Sequence, residues 1–222
     1  MAERQDAELE TYPVLEVADA GIAQYVILGA GLDTFVQRRP DVASRLRVFE
    51  VDQPGTQAWK KQRLDELGYE TPEWLRFVPV DFEGGVSWWD QLLAAGFDES
   101  EPAVVASTGV SVYLTREAID ATLRTVAGFA LGSTLVVSFM VPSDLVDTDE
   151  RPALRSAERG ARAAGTPWVS FFEPTEILEL TRGAGFPQVR HVSAAELAEC
   201  YFRGRSDHLR PSSAEELIVA TT

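Results

Sequence analysis

The chain has 222 residues, of which 45% are hydrophobic, and its 35 acidic residues outnumber its 20 lysines and arginines to give a net charge of −15. This acidic balance argues against nucleic acid or an anionic membrane surface as a partner. A single cysteine, Cys200, excludes an internal disulfide, and the two histidines, His191 and His208, argue against a zinc or haem site.

The chain starts with an acidic segment, MAERQDAELETY, that lacks the apolar core of a signal peptide. We expect a short helical segment over residues 1–22. The longest apolar stretch, at 129–141, is too short to span a bilayer. These features predict a cytoplasmic protein with no membrane partner.

Short apolar runs then alternate with longer amphipathic segments. Strands are predicted at 25–28, 47–51, 76–80, 103–107, 134–139, 189–192 and 216–220. Helices are predicted at 13–20, 55–67, 88–95, 115–128, 150–164, 174–183 and 194–200. This alternation predicts a single α/β domain, 1–222, with a mostly parallel seven-stranded sheet and helices on both faces. An irregular, proline-containing zone at about 142–174, which includes Trp168, predicts a lid insertion after the fifth strand.

Small and polar residues follow four of these strands, at the edge where an open doubly wound sheet binds ligands. They are Gly29, Ala30, Gly31 and Asp33 after the first strand, Glu50 and Asp52 at the end of the second, Asp81 and Phe82 after the third, and Thr108, Gly109 and Tyr113 after the fourth. Each has an ordinary structural explanation by itself, such as a turn, a helix cap, a loop acid or core packing. Their coincidence at one edge of the sheet favours an adenosine-type cofactor. An acid about 20 residues beyond the glycines is suited to both ribose hydroxyls, and Asp81 is suited to the adenine amino group.

The glycine pattern discriminates between cofactors. A dinucleotide fold uses G-x-G-x-x-G, with a third glycine and a pyrophosphate at the helix N-terminus, but Thr34 occupies the third glycine's place. Asp33, inside the turn, would repel a phosphate and suits a ligand with a positive centre. S-adenosyl-L-methionine has no phosphate and carries a sulfonium and an ammonium group, so it fits better than NAD.

Several motifs together resemble the leucine carboxyl methyltransferase-like family, and most closely its bacterial branch of S-adenosyl-L-methionine-dependent O-methyltransferases. They are YVILGAGLDTF, RVFEVDQPGTQAWKKQRL, FVPVDFE, GVSVYLTREAI, GTPWVSFFEPTEI and YFRGRSDHLRPSSAEELIVATT. The resemblance extends from about Gly21 to the end of the chain. It implies a Rossmann-like class I methyltransferase fold.

The resemblance also implies roles for individual residues. Gly29 and Gly31 would contact the methionine portion of the cofactor, Asp52 would bind the ribose hydroxyls, and Asp81 with Phe82 would bind adenine. Family members commonly carry an N-terminal arginine that binds the methionine carboxylate, whereas Arg4 is the only basic residue before Gly21. Some relatives have Glu after the fourth strand, where this chain has Ser107-Thr108-Gly109.

The expected reaction is methylation of an oxygen, on a carboxylate of a small molecule or a peptide end. A carboxylate is already ionised at neutral pH and needs no general base, which fits a chain with two histidines. Arg205, in the basic stretch YFRGRSDHLRP, is suited to bidentate binding of a carboxylate, and Tyr113 and Tyr201 are candidates to orient the acceptor. A solvated basic loop and plain packing of both tyrosines are the alternatives. Two other functions stay open: a nicotinamide-dependent oxidoreductase, disfavoured by the missing third glycine and by the lack of a Tyr-x-x-x-Lys pair, and a catalytically weakened methyltransferase-like binding protein.

Overall fold

The computed structural model describes residues 21–82, 84–85, 87–207 and 209–222. Its strands are β1 (Gln24–Leu28), β2 (Arg47–Asp52), β3 (Leu75–Pro79), β4 (Ala103–Ser107), β5 (Thr134–Met140), β6 (Gln188–Val192) and β7 (Glu215–Thr221). Its helices are α1 (Phe35–Arg38), α2 (Pro40–Ala43), α3 (Pro54–Glu66), α4 (Trp88–Ala94), α5 (Arg116–Ala127), α6 (Arg151–Ala163), α7 (Pro174–Ala184) and α8 (Ala194–Tyr201), with a 3-10 helix at Ser111–Tyr113. The predicted helix at 13–20 lies outside the described residues. Among the helices described here, none is long and apolar enough to cross a bilayer.

The strands form one seven-stranded sheet with the order β3-β2-β1-β4-β5-β7-β6. β1 pairs in parallel with both β2 and β4, and β2 pairs in parallel with β3, whereas β6 and β7 are antiparallel. The strand order reverses between β1 and β4, which is the point where doubly wound sheets bind their ligands, outside the carboxyl ends of the strands. The predicted α/β fold is confirmed.

The chain divides into two compact units, and the first contains the described residues up to Ser107 together with 128–134 and Thr222. All five residues of β1 are buried, which explains why its sequence is an unbroken apolar run after Gln24. Gln24 is also fully buried, and two hydrogen bonds to the backbone of Asp98 satisfy its amide. Nε2 donates to the carbonyl oxygen at 2.9 Å, and Oε1 accepts the N–H at 2.8 Å. On one face of this unit, Tyr25 packs edge-on against Phe35 of α1, with ring centroids 5.3 Å apart.

The second unit contains 108–127 and 135–221. Its antiparallel strands pair His191 with Ile218, and its α7 begins with a capping box in which Glu173 and Glu176 each accept a backbone N–H from the other's residue. α7 ends at Gly185, whose φ of 119° is accessible to glycine and strained for other residues.

The predicted strand limits agree with the structure within one residue at each end. The sequence analysis missed α1 and α2, because four-residue helices are too short to show a helical period. Local chemistry forms them instead. Asp33 Oδ1 accepts the N–H of Phe35 at 2.8 Å at the start of α1, and Pro40 occupies the first turn of α2.

Candidate functional site

The turn after β1 is built from glycines with left-handed backbone angles. Gly29 has φ 72° and Gly31 has φ 44°, so a side chain at either position would strain the backbone. The N–H groups of Gly29 and Ala30 both donate to the carbonyl of Val51 in β2, at 2.7 and 3.2 Å. A Cβ added to Gly31 would meet, among the described residues, the carbonyl oxygen of Gly29 at 3.8 Å and nothing else within 4 Å. The backbone of this turn is therefore fixed, with open space beside Gly31.

Asp52, the last residue of β2, holds this turn. One carboxylate oxygen accepts the backbone N–H of Gly31, and the other accepts the N–H of Gln53 at 2.6 Å. The side chain is almost fully buried, with 8% of its surface exposed. A carboxylate has about four lone-pair positions, so both oxygens retain capacity to accept hydrogen bonds from a ligand.

Gln53 connects the ends of β2 and β3. Its Nε2 donates to Oδ1 of Asp81 at 3.0 Å, and the N–H of Val80 donates to the carbonyl of Asp52 at 2.7 Å. Asp81 is exposed. The chain turns back beside it, so that a Cβ added to Gly84 would lie 2.9 Å from the Cβ of Asp81. The structure therefore brings the predicted residues Asp52 and Asp81 to one edge of the first unit, linked through Gln53. Phe82, next in the chain, is half-buried.

The environment of Glu50 differs from the one predicted from the sequence. Its side chain is fully buried and forms an ion pair with Lys60 of α3, which is also buried. Burial raises the pKa of Glu50 to about 7, although the Lys60 ammonium acts in the opposite direction. Glu50 thus binds the ammonium group of Lys60 rather than facing solvent. Of the two acids at the end of β2, Glu50 and Asp52, only Asp52 reaches the edge of the site. The predicted direct contact of Glu50 with a cofactor is not supported by this placement.

The candidates of the second unit are Thr108, Tyr113, Tyr201 and Arg205. Thr108 is half-buried and directly follows β4, and Tyr113 is exposed at the end of the 3-10 helix. Tyr201 is exposed at the end of α8. The planar fork of Arg205 binds the carboxylate of Asp207, with Nε to Oδ1 at 3.0 Å and Nη2 to Oδ2 at 2.6 Å.

A pocket of about 550 Å³ lies within the second unit, next to the last residues of β5. Tyr113 contributes to its wall, and Tyr201 and Arg205 are not among the described residues that line it. Apolar groups dominate the wall, to which Leu154 of α6 and Trp168 contribute. The charged groups at its edge include Glu150 and Arg210, which form an ion pair with Nη2 and Oε1 3.0 Å apart.

Sequence reasoning missed Gln53, Lys60 and Glu150. The signal for the first two is present in the chain: Gln53 belongs to the EVDQP motif, and Lys60 is one of the two lysines that follow it. Glu150 had no signal of this kind, because its partners Ser212, Ser213 and Arg210 are 60 or more residues away in the chain. Among the described residues, no group of three or more His, Cys, Asp or Glu side chains is placed to hold a metal ion.

The chain is similar to known proteins in both sequence and fold. Residues 12–127 match the model of the family described as leucine carboxyl methyltransferase. A Bacillus subtilis protein named "Putative S-adenosyl-L-methionine-dependent methyltransferase YktD" is 35% identical over 190 residues, which is 85% of this chain and 62% of that protein. The chain thus spans about three fifths of the length of this relative.

Solved structures share the fold. A DUF574-family protein from Streptomyces avermitilis has a TM-score of 0.72 at 19% identity, covering 99% of this chain and 83% of that one. Human N-acetylserotonin methyltransferase in complex with S-adenosyl-L-methionine has a TM-score of 0.54 at 14% identity, covering 99% of this chain and 54% of that one. The class I methyltransferase fold expected from the sequence is confirmed by these likenesses together with the strand order. Because the family model matches more than half of the residues, the chain belongs to the leucine carboxyl methyltransferase family, as its motifs predict.

Proposed function

We propose that this chain is an S-adenosyl-L-methionine-dependent methyltransferase that methylates an oxygen atom. The observation that carries the proposal is the arrangement of Asp52, whose buried carboxylate holds the Gly31 turn and keeps free lone pairs at the edge of the sheet. In this proposal Asp52 accepts the ribose hydroxyls, and Asp81, oriented by Gln53, accepts the adenine amino group beside Phe82.

The residues present fit this cofactor. Among the described residues other than its chain neighbours, only the carbonyl oxygen of Gly29 would lie within 4 Å of a Cβ at Gly31, which supports a place for the methionine portion beside this turn. Asp33, Asp52 and Asp81 offer carboxylates to a ligand that carries hydroxyl, amino, ammonium and sulfonium groups. Thr108, which follows β4 at the point where the strand order reverses, is a further candidate for contact.

A nicotinamide cofactor fits less well. A dinucleotide site places its pyrophosphate at the N-terminus of the helix that follows the glycine turn. Here that helix has only four residues, and the N–H of Phe35 already donates a hydrogen bond to the carboxylate of Asp33. A negatively charged pyrophosphate would meet the Asp33 carboxylate at this place.

When bound, S-adenosyl-L-methionine supplies an electrophilic methyl group on its sulfonium. The transfer of that group is an in-line displacement, so the contribution of the protein is to hold the acceptor oxygen behind the methyl carbon. We extend the proposal to a carboxylate acceptor of a small molecule or peptide end, which is ionised at neutral pH and needs no base. The description of the family, leucine carboxyl methyltransferase, supports this choice of acceptor.

The arginines of the basic stretch, which could bind an acceptor carboxylate, are each paired with an acidic side chain. Arg203 is paired with Glu199, Arg205 with Asp207, and Arg210 with Asp149 and Glu150. An acceptor carboxylate that binds the Nε–Nη2 side of Arg205 must therefore replace Asp207 there.

Calorimetry with S-adenosyl-L-homocysteine, S-adenosyl-L-methionine and NADH tests the cofactor. We expect binding of the first two and none of NADH, and the reverse result would contradict the proposal. Incubation of cell extracts with methyl-labelled donor then tests the acceptor. A methyl ester releases labelled methanol in mild base, whereas a methyl ether does not, so base-stable product alone would contradict a carboxylate acceptor.

A further inference from the structure

We propose that the pocket beside the end of β5 binds the uncharged, largely aromatic or apolar part of a small molecule, and that a hydrogen-bond acceptor on this molecule binds the indole N–H of Trp168. The identity of this molecule rests on the proposed function: it is the methyl acceptor. Any carboxylate that it carries lies on the part that stays outside the pocket. The binding claim itself concerns residues of the second unit alone.

Trp168 provides the first argument. Trp168 lines the pocket, and its Nε1 atom is buried without a hydrogen-bond partner among the described residues. A buried donor that has lost water and gained no partner destabilises the protein, so such groups are rare in native structures. An acceptor group on a bound molecule would supply the missing partner.

Hydrogen bonds hold the backbone that follows Trp168. The N–H of Val169 donates to the carbonyl of Val112 at 2.8 Å, and Ser170 Oγ donates to the carbonyl of Leu114 at 2.6 Å. The N–H of Phe172 donates to the carbonyl of Met140 at the end of β5, at 3.0 Å. The segment that follows Trp168 is therefore hydrogen bonded to residues 112–114 and to the end of β5, so the backbone next to Trp168 is held in place.

The charges at the edge of the pocket exclude an anion from it. Arg210 has Asp149 and Glu150 within 3.1 Å and Asp147 at 3.9 Å, so three carboxylates surround one guanidinium. Burial by itself would raise the pKa of Glu150, but hydrogen bonds from Ser212 and Ser213 and the charge of Arg210 outweigh it and hold this pKa below its usual range. Glu150 is therefore ionised at neutral pH, and the local charge is negative.

The size and lining of the pocket fit a bicyclic aromatic molecule. A volume of about 550 Å³ lies within the range of ordinary small-molecule sites. Ala153, Leu154 and Ala157 present the apolar side of α6, and Phe139 and Met140 belong to β5. Small side chains on α6 leave the room that a flat ring needs.

Three naphthalene probes of similar size test the proposal by their intrinsic fluorescence: 2-acetylnaphthalene, which is neutral and has a carbonyl acceptor, 2-ethylnaphthalene, which has none, and 2-naphthoate, which is an anion. Binding is measured at 0.15 M salt, where the screening length of about 8 Å suppresses the effect of distant charges. We expect 2-acetylnaphthalene to bind most tightly. Tighter binding of 2-naphthoate would overturn the proposal.

Three variants locate the site. Trp168→Phe removes the N–H and keeps an aromatic ring. It should therefore weaken the binding of 2-acetylnaphthalene by about threefold to tenfold more than the binding of 2-ethylnaphthalene. Equal effects on both probes would overturn the role of the N–H. Ala157→Phe should fill the pocket and reduce binding of both neutral probes, whereas Ala163→Phe, at the last residue of the same helix and outside the lining, should leave binding of both unchanged. Unchanged binding in Ala157→Phe would overturn the location.

The same preparations separate this inference from the proposed function. The probes need no cofactor, and S-adenosyl-L-homocysteine is titrated independently. Failure of the cofactor to bind would contradict the proposed function and leave the probe results valid. A folded protein that binds the cofactor but none of the neutral probes would overturn the pocket alone.

Discussion

The carboxylate of Asp52, at the end of β2, accepts a hydrogen bond from the backbone N–H of Gly31 in the turn after β1. Gly31 has a φ of 44°, which favours glycine, and the Asp52 carboxylate anchors the turn. One side chain therefore links two adjacent parallel strands at their carboxyl ends. The proposed ribose contact and the shape of the turn depend on the same carboxylate.

Replacement of Asp52 is the first test of the cofactor site. Asp52→Ala removes a charged acceptor for two hydroxyls, so we expect the binding free energy of S-adenosyl-L-homocysteine to fall by about 1.5–3 kcal/mol in calorimetry. Asp52→Asn keeps an oxygen that can accept the N–H of Gly31 and should lose less. Asp65→Ala, an exposed acid on α3, is the matched control. Unchanged affinity in a folded Asp52→Ala protein would remove Asp52 from the site.

Replacement of Gly31 separates the turn from the ligand. Gly31→Val places a β-branched residue at positive φ, so we expect a loss of about 1–3 kcal/mol in the free energy of unfolding and no cofactor binding. Asparagine tolerates the left-handed region, so Gly31→Asn should unfold at a higher temperature than Gly31→Val. Its side chain nevertheless enters the open space beside the turn. Wild-type affinity in Gly31→Asn would show that the ligand does not use this space.

The strands and the glycine turn could be predicted from the sequence because their signals are local. β1 is buried along its whole length, so its apolar run is uninterrupted and ends at the glycines. The Glu50–Lys60 ion pair could not be predicted from residue types, because alternating acids at a strand end look alike until a helix supplies the cation. Arg205 differs, because its partner Asp207 lies two residues away and competes locally with any external carboxylate. Residue types predicted the chemistry of Glu50, and tertiary packing determined its partner.

The buried Glu50 predicts a specific dependence of stability on pH. Its pKa rises from 4.5 to about 7 on folding because of burial, so the folded state holds this proton more tightly than the unfolded state. The stabilisation is complete below about pH 4.5 and is lost as the pH rises to about 7. We expect this carboxyl to lower the free energy of unfolding by about 1–3 kcal/mol across that interval, measured by urea denaturation.

The control removes both members of the pair. Glu50→Gln alone would leave the Lys60 ammonium buried without a counter-charge, at a cost of about 3–5 kcal/mol that obscures the comparison. The double variant Glu50→Gln with Lys60→Met has no titrating group at this place. The free energy of unfolding of the wild type minus that of the double variant should decrease between pH 4.5 and 7. A difference that is constant or rises with pH would contradict the assigned pKa direction.

Arg205 tests the carboxylate acceptor. Its fork is bound by Asp207, and that ion pair with further hydrogen bonds lowers the pKa of Asp207 to about 2, so the pair is charged at neutral pH. If the acceptor carboxylate replaces Asp207, Asp207→Asn frees the guanidinium and lowers the KM of the acceptor. Arg205→Ala then raises it, and Arg205→Lys, which keeps the charge without the planar fork, gives an intermediate value.

The readouts are methyl transfer to the acceptor found in the extract screen and calorimetry with S-adenosyl-L-homocysteine. We expect all three substitutions to leave cofactor affinity unchanged. Arg203→Ala is the matched control, because Arg203 is a more exposed arginine of the same stretch with its own partner, Glu199. Loss of cofactor affinity in Arg205→Ala would instead assign Arg205 to the methionine carboxylate. Equal kinetics in all the variants would leave Arg205 a surface residue bound to Asp207, because a fork that contacts the acceptor cannot lose its geometry without changing KM or kcat.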